Sequence, residues 1–97
     1  MNKHDFQTNL TGAETFRIIS QMPESEFWAG YMRGLRRRYH GEKFGSATEH
    51  KQWMAAADSS DELRRNLGLG YRSGYKGQNI IVIFNLRAGG IKKEGGK

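Results

Sequence analysis

Apolar positions recur at helical spacing along most of this chain. Phe27, Tyr31 and Leu35 form an i, i+4 ladder, with Trp28, Met32 and Tyr39 beside it. That pattern predicts one helix with a broad apolar face. Pro23 suits its first position, because the N–H that proline lacks would be unpaired there. Glu24 and Glu26 place negative charge at the positive end of the helix dipole, and Gly41 marks a stop after Tyr39 or His40.

Three capping boxes predict further helices. In each, a Ser or Thr precedes a Glu by three residues, so that side chains satisfy otherwise unpaired backbone N–H groups. Thr11-Gly12-Ala13-Glu14 predicts a first helix over about 12–21, Ser46-Ala47-Thr48-Glu49 a third over about 47–57, and Ser59-Ser60-Asp61-Glu62 a fourth over about 60–74. Phe16, Ile19 and Met22 of the first helix, Trp53, Met54 and Ala57 of the third, and Leu63, Leu67 and Tyr71 of the fourth complete the expected core.

After Tyr75 the pattern changes. Lys76-Gly77-Gln78-Asn79 reads as a turn, and the β-branched and aromatic run Ile80-Ile81-Val82-Ile83-Phe84 as a buried strand. A lone strand needs a partner for its backbone groups. Phe6–Leu10 is one candidate; a second copy of the chain, joined through Ile80, Ile81, Val82, Ile83 and Phe84, is another. The predicted fold is therefore mainly α: a small bundle of about four helices with one short C-terminal β-strand or extended segment. An N-terminal arm occupies 1–10, a single helical domain 11–87, and a flexible Gly/Lys-rich tail 88–97.

One motif occurs twice. Gly30-Tyr31-Met32-Arg33-Gly34 recurs forty positions on as Gly70-Tyr71-Arg72-Ser73-Gly74. Glycine inside a helix costs about 1 kcal/mol relative to alanine. Paired glycines four apart clear a notch on one helix face, so Gly30, Gly34, Gly70 and Gly74 predict that the second and fourth helices cross closely, with Tyr31 and Tyr71 flanking the crossing. A phosphate-binding glycine loop would follow a strand, and neither motif does.

Composition narrows the function. A chain of 97 residues supports one core and little deep pocket. With no cysteine, disulfides, thiolate metal sites and a thiol nucleophile are all excluded. That absence and the polar start Met1-Asn2-Lys3-His4-Asp5 predict a cytoplasmic setting, and apolar runs no longer than Ile80–Phe84 are far too short for a membrane span.

The net charge of +6 favours an anionic partner. Arg33, Arg36, Arg37 and His40 follow i, i+3, i+4, i+7 and should share one helix face, with Arg38 at its border and Lys43 in the next loop. Arg65 and Arg72 share a face of the fourth helix, with Arg64 adjacent. Side-by-side packing would merge the two stripes. Arginine's planar fork suits phosphate oxygens. These residues predict a non-enzymatic protein that binds nucleic acid mainly through phosphate contacts. The alternatives are a protein-binding module or inhibitor whose basic, aromatic surface meets an acidic partner, and a structural oligomer. His4, His40 and His50 show no metal-binding spacing, and no cofactor is implied. A ribonuclease using His40 or His50 with Glu42 is the weakest reading, because only the fold could assemble it.

Overall fold

The structure is a computed structural model that describes the backbone of residues 1–95 and side chains as far as Arg87. Among the described residues five helices make a small bundle: α1 (Lys3–Ile19), α2 (Glu24–His40), α3 (Ala47–Ala56), α4 (Glu62–Tyr75) and α5 (Ile80–Gly95), with one 3₁₀ turn at Gly41–Lys43. No strand occurs among the described residues.

The centre of the bundle is the contact between α2 and α4, made backbone to backbone. A Cβ on Gly30 would fall on the Leu67 carbonyl oxygen, and one on Gly70 on the Phe27 carbonyl oxygen. A Cβ on Gly34 would overlap the Tyr71 carbonyl, and one on Gly74 the Tyr31 carbonyl. The four contacts are reciprocal at an offset of forty residues: 30 meets 67 as 70 meets 27, and 34 meets 71 as 74 meets 31. Residue numbers rise together on both helices, so α2 and α4 run parallel. Tyr31 and Tyr71 are fully buried beside the crossing. At such separations Cα–H groups also approach carbonyl oxygens, which adds weak attraction to the dispersion contacts.

The outer helices run back along the inner pair. Phe6 stacks on Tyr39, and Phe16 meets Trp28, so α1 is antiparallel to α2. Trp53 stacks on Tyr71 and His50 lies beside Tyr75, so α3 is antiparallel to α4. Gly68 lets the Ala56–Ala57 backbone come equally close at the α3–α4 joint.

Local chemistry explains where the helices begin. Ser46 and Glu49 form the expected capping box of α3. At α4, the cap is Asp61, whose carboxylate accepts from the Arg64 N–H, so the helix starts two residues later than the Ser59 box suggests. Thr11 caps nothing: it lies inside α1, which begins eight residues before it. The segment expected as an N-terminal arm is thus mostly helix. The Asn2 side chain accepts from the Asp5 N–H at 2.7 Å, and Phe6, Asn9, Leu10, Ala13 and Phe16 form the buried face. With that face set, Ile19 and Met22 turn away from the core and are exposed, as is Leu63 on α4.

The segment Ile80–Phe84 is helix and not strand. β-Branched preference for strands is weak and depends on context. Here a helix satisfies its own backbone groups, whereas a lone strand would leave them unpaired. Asn79 caps it, accepting from the N–H of Ile81 at 2.8 Å, while the buried Asn9 side chain accepts from the N–H of Ile80 at 2.9 Å. Ile80 and Ile83 face inward, Phe84 stacks on Phe16 with centroids 4.4 Å apart, and Arg87 pairs with Glu24 at 2.7 Å and lies over the Phe27 ring. Ile81 and Val82 remain exposed. Helical backbone continues over 88–95, where composition suggests a loose tail; residues 96 and 97 lie outside the described residues.

Alanine normally stabilises a helix relative to glycine by about 1 kcal/mol. At Gly30 and at Gly70 the sign should reverse. Each Gly→Ala change should cost about 3 kcal/mol or more, because a methyl group cannot share space with a backbone carbonyl. Urea denaturation followed by circular dichroism checks this, and a raised midpoint for either variant would contradict the backbone contact.

Candidate nucleic-acid interface

The parallel pairing of α2 and α4 has an electrostatic result. Both helices carry acids in the first turn, Glu24 and Glu26 on α2 and Glu62 on α4, and bases in the last turn, Arg37, Arg38 and His40 on α2 and Arg72 on α4. Because they point the same way, the acids collect at one end of the bundle and most of the bases at the other. Each set complements the helix dipoles at its end.

Within that pattern the arginines divide by what they touch. Arg65 Nη1 donates to the Ser59 and Ser60 carbonyls, at 3.2 and 3.1 Å, and so ties the turn before α4. Arg72 Nε donates to the Met54 carbonyl at 2.8 Å, and its Nη2 pairs with Asp58 at 3.2 Å, closing the end of α3. Arg37 is buried, and its Nη1 donates to the carbonyls of Phe44 and Gly45. Arg38 Nη1 donates to the Tyr75 carbonyl at 3.0 Å, linking the ends of the inner helices. These four side chains satisfy carbonyls that helix ends and loops leave unpaired.

Others stay open to a partner. Arg36 is half-buried and has no hydrogen-bond or ion-pair partner among the described residues, and Lys43 and His40 are exposed. Arg33 lies flat against aromatic faces, 4.8 Å from the Trp53 centroid and 5.9 Å from that of Phe44. Arg64 is exposed and lines a shallow hollow of about 230 Å³ with Trp53, Gln52 and Leu67. The two expected stripes therefore do not merge as continuous rows. Arg65 and Arg72 turn toward α3, while Arg33 and Arg64 both adjoin Trp53.

A larger crevice of about 450 Å³ opens at the basic end, lined by Met1, Arg37, Arg38, Tyr39, Gly41, Glu42 and Tyr75. The sequence pattern assigned Tyr39 to the core and left Tyr75 as a helix end. The offset of forty between the motifs is the signal that would have placed Tyr75 here, since it sets the end of α4 beside Gly34 and the arginines that follow it. Lys76 comes directly after Tyr75 and is exposed.

Next to this crevice, His50 Nδ1 lies 2.8 Å from the Tyr71 hydroxyl. Burial first, and then the Arg37 charge, lower the His50 pKa below its ordinary 6.5. Burial raises that of Tyr71, so its hydroxyl keeps its proton and can donate to the neutral imidazole. Burial likewise raises Tyr31, which donates to the Gln78 carbonyl at 2.7 Å. Among the described residues, no group of His, Asp or Glu is placed to hold a metal ion, and no helix is long and apolar enough to cross a membrane. No family model, curated protein or solved structure matches the chain.

A depressed histidine pKa has a definite sign for stability. As pH falls, the unfolded chain takes up the His50 proton near 6.5, before the folded chain does. Stability should therefore be fully present above about pH 6.5 and fall on acidification until the folded imidazole is also charged. His50→Gln should remove this part of the pH dependence of the urea midpoint. An NMR titration placing His50 above 6.5 would contradict the assignment.

Proposed function

We propose that the protein binds nucleic acid without catalysing a reaction, mainly through phosphate contacts at the basic end of the bundle. The observation that carries this reading is the parallel pair α2 and α4, which brings Arg36, His40 and Lys43 to the same end as Lys76, where Arg37 and Arg38 line a crevice. Polyanion binding gains from such grouping because each neutralised phosphate releases condensed counterions. Arg33 and Arg64 beside Trp53 extend the basic, aromatic surface along α3. Arg65 and Arg72 contribute mainly by holding the turn before α4 and the end of α3, and Arg37 also ties down the Phe44–Gly45 loop.

A second reading has its own support. Ile18, Ile19 and Met22 at the end of α1 and Ile81, Val82 and Leu86 on α5 are exposed. Apolar residues so placed suit a protein partner, whether a second copy of the chain or another protein. Sedimentation as a monomer at high concentration would remove the second copy.

Salt dependence tests the first reading. The logarithm of affinity should fall linearly with the logarithm of salt concentration. Arg36→Gln and Lys76→Gln should each lessen that slope by about 1 and leave the denaturation midpoint unchanged. Arg72→Gln should do the opposite, lowering the midpoint because it frees the Met54 carbonyl. Affinity that barely changes with salt would contradict phosphate-led binding.

A further inference from the structure

The crevice at the basic end contains a buried cation without a counter-ion. Arg37 is only 9% exposed. Two backbone carbonyls take its Nη1, but no carboxylate pairs with it among the described residues. Its Nε and Nη2 have no partner there either. Among the described residues no fully buried side-chain nitrogen or oxygen is left unpaired, so these donors are not sealed in the core, and Arg37 is one of the residues that line the crevice. A guanidinium held this way is costly unless an anion joins it. Arg38 lines the same space, and among the described residues its one side-chain hydrogen bond, through Nη1, leaves its other donors free.

The lining is also aromatic, with Tyr39 and Tyr75. Tyr75 is 36% exposed, and its ring is backed on the protein side by His50, centroids 4.5 Å apart, and by the parallel ring of Tyr71. Two rings thus support Tyr75, and part of the residue stays exposed to a ligand. A volume of about 450 Å³ lies in the usual range for small-ligand pockets. Glu42 is the carboxylate in the lining. It disfavours a second phosphate and offers an acceptor to a sugar hydroxyl or an exocyclic amine.

We propose that this crevice holds one unstacked nucleotide of a single-stranded nucleic acid, with its phosphate on Arg37 and Arg38 and its base against Tyr75. The proposal rests on the nucleic-acid reading above and adds the strand type. A base inside a duplex already has both faces covered by its neighbours, so only an unpaired nucleotide presents a face to Tyr75.

Fluorescence anisotropy at fixed salt tests this, using a labelled single-stranded oligonucleotide and the blunt duplex of the same sequence. The full chain should bind the single strand more tightly. Tyr75→Ala should weaken single-strand binding by about tenfold or more and leave duplex binding unchanged, whereas Tyr75→Phe, which keeps the ring, should retain it. If Tyr75→Ala fails to melt cooperatively, Arg38→Gln takes its place, with a larger loss expected for the single strand than for the duplex. Equal affinity for both nucleic acids, with no strand-selective loss in the variants, overturns the crevice while leaving salt-dependent phosphate binding in place. Absence of binding to either oligonucleotide at low salt overturns both.

Discussion

Everything in this fold depends on two backbones touching. Gly30, Gly34, Gly70 and Gly74 leave no side chain between α2 and α4, so the carbonyls of each helix occupy the space where the other's Cβ atoms would be. The helices forgo about 1 kcal/mol of intrinsic propensity at each glycine. Close approach returns dispersion contact along a surface without voids, and lets Tyr31, Leu35 and Tyr71 close over it in full burial. The contact also dictates direction. Reciprocity at an offset of forty is satisfied only by parallel helices, and that requires α3 to carry the chain back.

Direction then decides the electrostatics. Acids early and bases late is an ordinary arrangement for one helix, since it suits the dipole. Two antiparallel helices would have cancelled it. Two parallel ones add, and the molecule acquires a basic end. Helix-terminal and loop carbonyls at that end take part of its positive charge within the chain, as Arg37 and Arg38 show. The remainder stays unspent: Arg36, Lys43, Lys76 and the unused donors of Arg37 and Arg38.

The legible parts of the fold were those with local causes. The capping box at Ser46, the ladder Phe27–Tyr31–Leu35 and the glycine notches depend on residues three or four apart, and a reader of the sequence can evaluate them. α5 was misread because its helical form depends on Asn9, seventy-one residues away, and on the α1 face. The start of α1 was missed because Asn2 caps without a capping box. The arginine rows were visible, but their uses were not. Periodicity reports which side chains share a face, and it cannot report that a loop carbonyl waits beside one of them. Arg65 and Arg72 looked like surface charge for that reason.

The attachment of α5 differs in kind from the central crossing. Among the described residues, one cap from Asn9, the Phe16–Phe84 stack, Ile80 and Ile83, and the Arg87–Glu24 pair hold it, through side chains of α1 and α2. None takes part in the α2–α4 seam. The seam thus rests on backbone contact and the attachment of α5 on side chains, a difference that favours local opening at α5 over opening at the seam. α5 can open as a subglobal fluctuation, with its amides exchanging solvent hydrogen while those at the glycine seam stay protected. Such an opening would uncover the Phe16 ring and loosen Glu24 at the acidic end, leaving the basic end as it was.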